Sequence, residues 1–134
     1  MTRTEFEHQV ERAIASIPEE FLARAENLSF QVHDWADADT LFGVGLEDPR
    51  DLLGYYSGWP LTERSIDFVS TPPDLIIIYQ KAVENFIAET GIPLQRVLRE
   101  TVMHELAHYF GFTEDEMDLI EQLWEEANSE DSAP

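Results

Sequence analysis

A chain of 134 residues, 43% of them hydrophobic, is the size of one ordinary domain with enough apolar side chains for a core. Its 28 acids stand against eight lysines and arginines, and the formal charge of −20 argues against nucleic acid or membrane as partners, since it repels phosphate backbones and anionic headgroups. With no cysteine, disulfides, thiolate metal sites and cysteine nucleophiles are ruled out, so any metal site must use histidine and acidic ligands.

The opening Met1 to Glu7 is too polar for a signal peptide, and the longest aliphatic run, Leu75 to Ile78, is far short of a spanning helix, which makes a cytoplasmic location the expectation. Thr4 and Glu7 are spaced as a capping box, and Phe6, Val10, Ile14 and Ile17 recur at helical intervals, predicting an amphipathic first helix. Pro18-Glu19-Glu20 restarts a shorter helix to about Ala25. Leu28, Phe30 and Val32 alternate with Ser29, Gln31 and His33, the pattern of a half-buried strand reaching about Trp35. From Asp37 to Thr71 glycines and prolines punctuate short pieces, among them Leu52 to Tyr56, which reads as strand or ordered loop.

After Thr71-Pro72-Pro73 the continuous β-branched run Leu75 to Tyr79 predicts a central strand covered on both faces. Leu52 to Ser57 is then the segment expected at the sheet edge, where an extended peptide would add. Val83, Phe86 and Ile87 predict a helix stopped by Gly91, and Pro93 opens another that runs to Phe110 with Gly111 as a left-handed cap. Thr113 and Glu116 form a further capping box for a last helix whose buried stripe is Met117, Ile120, Leu123 and Trp124. Asn128 to Pro134 has no apolar anchor and reads as a disordered acidic tail. Helices packed on a small mixed sheet make the class α+β, with a single domain over residues 1–127 and the tail over 128–134.

The stretch that carries chemistry is His104-Glu105-Leu106-Ala107-His108. Residues four apart on a helix lie about 40° apart around its axis, close enough for two imidazoles to reach one zinc ion at about 2.0–2.1 Å. Glu105 projects beside them, placed to act as a general base toward a zinc-activated water in peptide hydrolysis. Four histidines and eighteen glutamates in this length give roughly 0.02 chance matches to the spacing. From Val102 to Phe112 every other residue except Gly111 is apolar, so this half of the helix should be buried, and burying a carboxylate and two imidazoles without a partner costs several kcal/mol. A bound cation removes that cost. His8 and His33 have no metal-spaced neighbour and read as surface or core residues; Tyr55, Tyr56 and Tyr109 read first as core-edge aromatics and second as donors to an oxyanion.

The run His104 to Asp115, with Gly111 three positions after the second histidine and acids following, resembles the extended zincin motif. Leu53-Gly54-Tyr55-Tyr56-Ser57-Gly58-Trp59-Pro60-Leu61-Thr62-Glu63-Arg64 and Pro73-Asp74-Leu75-Ile76-Ile77-Ile78-Tyr79 resemble further blocks of a bacterial family of small zincin-like metallopeptidases. The resemblance implies a minimal zincin fold, one zinc ion and a zinc hydrolase activity with no firmly assigned substrate; the chemistry of the motif makes a peptide or protein the expected substrate and leaves room for a protein partner. It also implies a third ligand at Glu114, where the family usually has Asp, with Asp115 as the reserve. No counterpart of the larger zincins' Met-turn is evident. The alternative from another class is a catalytically inactive, zinc-stabilised interaction module, which needs the histidines but not Glu105.

Overall fold

The computed structural model describes residues 1–23, 25, 28–58, 74–113, 115, 116, 118, 119 and 122. Helix α1 (Arg3–Ala15) begins at Thr2, whose extended backbone and side chain cap the N–H of Glu5 while the Glu5 carboxylate accepts from the Thr2 N–H. The capping box is therefore Thr2 with Glu5, not Thr4 with Glu7. The two Thr-x-x-Glu registers overlap, and the earlier start puts Arg3 inside the first turn. There its guanidinium ties α1 to the sheet, donating to the Val32 carbonyl and Gln80 Oε1 at 2.8 Å each and to the Asp34 carboxylate. Phe6, Val10, Ala13 and Ile17 are buried along the inner side of this segment.

After the short α2 (Glu19–Leu22), strand β1 (Leu28–His33) alternates half-buried Leu28, Phe30 and Val32 with exposed Ser29, Gln31 and His33, as the period-two pattern requires. Two elements follow that the sequence pattern does not announce. Helix α3 (Ala38–Gly43) is capped by the Asp37 carboxylate, which accepts from the Thr40 N–H at 2.7 Å, and a 3-10 turn (Pro49–Asp51) is capped by Asp48. Strand β2 (Gly54–Ser57), central strand β3 (Asp74–Tyr79), α4 (Gln80–Thr90) and α5 (Leu94–Phe110) come next along the chain. Pro93 has ψ 141, which makes it the extended residue before α5, not part of its first turn.

The sheet order is β1-β3-β2, with β1 parallel and β2 antiparallel to β3. β3 is covered on both faces, as its continuous apolar run predicts. Ile76 and Ile78, both fully buried, point with Phe30, Val32 and Tyr56 into a core shared with α1 and with Val97, Leu98, Val102 and Leu106 of α5. Complete burial of each isoleucine contributes roughly 1.5–3 kcal/mol. Ile77 and Tyr79 face the other way, against Leu41 of α3, Ala36 and Ala82, with Leu52 and Tyr55 at the margin. The fold is thus α+β, helices on a small mixed sheet. Among the described residues no helix is long and apolar enough to cross a membrane.

Beyond Gly111 the Thr113 and Glu116 box is formed, each backbone N–H donating to the other's side chain at 3.1 Å. Asp115, Glu116, Asp118, Leu119 and Gln122 are helical. The stripe Met117, Ile120, Leu123 and Trp124 and the tail 128–134 lie outside the described residues.

One close approach positions everything that follows. A Cβ built on Gly54 would lie 2.7 Å from Cγ2 of Thr101, 3.3 Å from the Ile77 carbonyl oxygen and 3.4 Å from Cγ of Glu105. Thr101 cannot easily yield, because its hydroxyl is held by the Val97 carbonyl at 2.7 Å within a buried stretch of α5. Only glycine lets β2 lie this close to the helix. Gly54→Ala is expected to cost about 1–3 kcal/mol by overpacking. Thr101→Ser, which deletes the obstructing methyl, is expected to recover part of that loss in the double variant. Chemical denaturation of the four proteins in the cycle measures the coupling, and strictly additive effects would contradict the contact.

Candidate active site

Helix α5 is buried along Val97, Leu98, Thr101, Val102, Met103, Glu105, Leu106, Ala107 and Tyr109, which fixes its rotation and leaves His104 and His108 at the boundary of the core. One turn apart, they present Nε2 atoms 3.2 Å from each other, with ring centroids at 4.8 Å and planes inclined at 75°. Ligand atoms of His104, Glu105 and His108 all lie within 4.8 Å of one another. Two nitrogens bound to one zinc ion at 2.0–2.1 Å in tetrahedral geometry sit about 3.3 Å apart. The imidazole pair already has that separation, and its donor set, two neutral nitrogens with a carboxylate alongside, suits zinc.

Glu105 is 8% exposed. Burial pushes its carboxyl up to about 7, while the nearby His104 and a hydrogen bond from the backbone N–H of Tyr56 pull the other way. That hydrogen bond follows from the register of the sheet. Tyr79 donates its N–H to the Leu53 carbonyl at 2.9 Å, and Gly54 and Tyr56 pair opposite Ile78 and Ile76. In an antiparallel ladder the hydrogen-bonding residues alternate, so Leu53, Tyr55 and Ser57 address β3 while Gly54 and Tyr56 turn their backbone groups away from it. Among the described residues β2 is therefore an edge strand, as expected, and its outward backbone lies beside the His104, Glu105 and His108 cluster.

Tyr56 also anchors the strand through its side chain. Its ring meets Tyr109 edge-on at 5.9 Å, and its hydroxyl donates to Oδ1 of the fully buried Asp74 at 2.6 Å. Gly58, with φ 153, passes so close that a Cβ there would fall 2.3 Å from Asp74 Oδ1. Asp74 heads the central strand, so this bond links the start of β3 to the strand beside the site. A pattern reading had no means of pairing Tyr56 with an acid eighteen residues away.

Two cavities open on either side of Glu105. One is lined by Val44, Leu52, Gly54, Tyr55 and Tyr56 together with His104, Glu105 and His108; the other shares Leu52, Gly54, His104 and Glu105 and extends along α5 toward Val97. Tyr55 and Tyr56 thus both border the site, whereas Tyr109 is buried below it. His8 and His33 stand apart from the cluster. Both are exposed, and His33 pairs with Gln31 Oε1 at 3.0 Å.

At the end of α5, Gly111 (φ 77) closes a Schellman motif, its N–H donating to the His108 carbonyl at 3.0 Å and that of Phe112 to Ala107 at 3.1 Å. The acids implied as third ligands follow this turn. Glu114 lies outside the described residues. Asp115 is exposed and is not in the cluster, and Glu116 is occupied with the Thr113 cap.

A family model described as zincin-like metallopeptidase matches residues 25–124 of this chain, more than half of its length. The match spans β1, β2, β3 and the whole of α5, every element that borders the cluster. No curated protein matches the chain.

Tyr56→Phe is expected to destabilise the protein by about 1–3 kcal/mol, since Asp74 loses a hydrogen-bond donor in a buried position. Urea unfolding reads the change directly. A loss near zero would mean that the hydroxyl contributes nothing to holding β2 in place.

Proposed function

Because this chain belongs to the zincin-like metallopeptidase family, we propose that it is a zinc-dependent peptidase in which His104 and His108 hold the ion and Glu105 is the general base. The observation that carries this reading is the 3.2 Å separation of the two Nε2 atoms beside a buried carboxylate. Zinc held there supplies Lewis acidity and lowers the pKa of an attacking water to about 7. Glu105 accepts the proton that this water gives up and passes it to the leaving amine, so that no covalent enzyme intermediate is needed. The Tyr56 N–H holds the Glu105 carboxylate at the edge of the sheet, where the base faces the place at which a peptide would lie. Burial keeps the proton affinity of Glu105 high enough for it to work as a base.

An extended peptide added along β2 would bond to the outward backbone groups of Gly54, which borders both cavities. That alignment carries its scissile bond past Glu105. We assign Glu114 as the third ligand, with Asp115 in reserve. Thr113 and Glu116, just past the turn at Gly111, are used by their own cap, and Glu114 matches the family's ligand position.

A verified metal-free sample is expected to bind zinc at micromolar concentration and to melt at a higher temperature with zinc than without it. Glu105→Gln is expected to retain both properties and to lose hydrolysis of peptides by at least a hundredfold, because an amide cannot serve as a base. Calorimetry and a peptide-library assay on the same preparations separate the two effects. Undiminished activity in the Gln variant would remove Glu105 from the mechanism. A wild-type protein that binds zinc and cleaves nothing would favour the inactive interaction module.

For the third ligand, Glu114→Ala is expected to weaken zinc binding at least tenfold, the scale of a lost coordinating group, while Asp115→Ala leaves it near the wild-type value. Competition against a chromophoric chelator gives both affinities. The opposite ranking moves the assignment one residue along the chain, and no effect from either points to a ligand elsewhere, with Asp118 the next to test.

A further inference from the structure

The cavity that extends along α5 from the candidate site has a volume of about 340 Å3, enough for a long side chain. Its walls carry a definite chemistry. Leu53, Phe86 and Val97 give it apolar sides, and Asp51 and Glu100 are the acids along it beyond Glu105. Among the described residues no lysine or arginine lines it.

From this lining we infer that the acid-lined cavity is a specificity subsite for a lysine or arginine side chain adjoining the scissile bond of the peptide. The inference rests on the peptidase reading above and names the residue that such a peptide must carry. A lysine or arginine laid beside Gly54 would run its methylene stem along Leu53, Phe86 and Val97 and bring its charged end to Asp51 and Glu100. Long aliphatic stems with a cationic tip match apolar walls with acids better than any other natural side chain does.

Two cations lie near these acids without lining the cavity. Arg96 engages Oε1 of Glu100 at 3.1 Å from the preceding turn, but it is half exposed and does not line the cavity. Arg50 is clamped by Asp48, with its Nε at 3.0 and 3.1 Å from the two carboxylate oxygens and its Nη2 at 2.7 Å from one of them, and it too is absent from the walls. The adjoining surface carries Glu89 together with Arg50. With a formal charge of −20 over the chain, cationic peptides are also drawn to the cleft at long range, an effect that falls with added salt.

The experiment uses zinc-loaded full-length protein and pairs of peptides identical except for lysine or its uncharged isostere norleucine at the position beside the scissile bond. The same pairs, truncated and capped with a hydroxamate, serve as zinc-directed ligands in calorimetry, so selectivity is read by binding as well as by turnover. Wild type is expected to prefer lysine by at least about tenfold in kcat/KM and in affinity, the scale of a charge pair at a partly desolvated site. Asp51→Asn with Glu100→Gln is expected to bring both ratios to near one, and raised ionic strength to reduce the wild-type preference. Both substitutions are at solvent-accessible positions, and circular dichroism checks that the variant folds. Hydrolysis or hydroxamate binding with no preference for lysine, or a preference that survives the double substitution, overturns the subsite and leaves the peptidase reading intact. Norleucine hydroxamate binding without turnover would count against the peptidase reading while the lysine ratio still decides the subsite. If neither hydroxamate binds, both fall.

Discussion

The backbone of β2 lies close enough to α5 for a strand N–H to bond a helix carboxylate, and the candidate site depends on that approach. Gly54 permits it, because any side chain there meets Thr101 and the root of Glu105. Tyr56 maintains it, with its ring on Tyr109 and its hydroxyl on the buried Asp74. Once the strand is there, one edge of the sheet, one carboxylate and two imidazoles share a small volume. A shift of about an ångström in this contact would separate the base from the place where an extended peptide adds, and losses of that kind in positioning are costly to catalysis.

The same contact resolves a conflict between burial and charge. Val102, Leu106 and Ala107 must be buried for α5 to pack on the sheet, and this rotation carries Glu105 inward with them. Burial alone would leave a carboxylate with a strongly raised pKa. The Tyr56 N–H and the neighbouring His104 hold it back, so the group stays at about 7, a range in which it can both take and release a proton. Packing and chemistry therefore set the same helix rotation.

Most of α5 was legible because its signals are local. The i, i+4 histidines, the apolar run around them and the left-handed cap at Gly111 all lie within the eleven residues from Val102 to Phe112, and the structure reproduces each. β3 was legible for a similar reason, since an unbroken Leu75 to Tyr79 run has no face to leave in water. The overlapping Thr-x-x-Glu pairs at the start gave two equivalent caps, and only the reach of Arg3 to Val32, Asp34 and Gln80 distinguishes them. α3 is six residues long with Leu41 as its buried residue, too short to show a period. The roles of Gly54, Tyr56 and Asp74 depend on partners many positions away, so their identities could be read while their contacts could not. The acids of the long cavity, Asp51 and Glu100, come from a 3-10 turn and a helix that only the fold brings together.

X-ray absorption at the zinc edge of the loaded protein tests the central claim most directly, because it reports the ligands without reference to activity. The account predicts two imidazole nitrogens and oxygen donors at about 2.0–2.1 Å in a four-coordinate sphere, with one oxygen exchangeable for an added hydroxamate. Replacing either His104 or His108 should remove one imidazole from that sphere. A sphere with no imidazole, or one that keeps both when His104 and His108 are replaced, would contradict it.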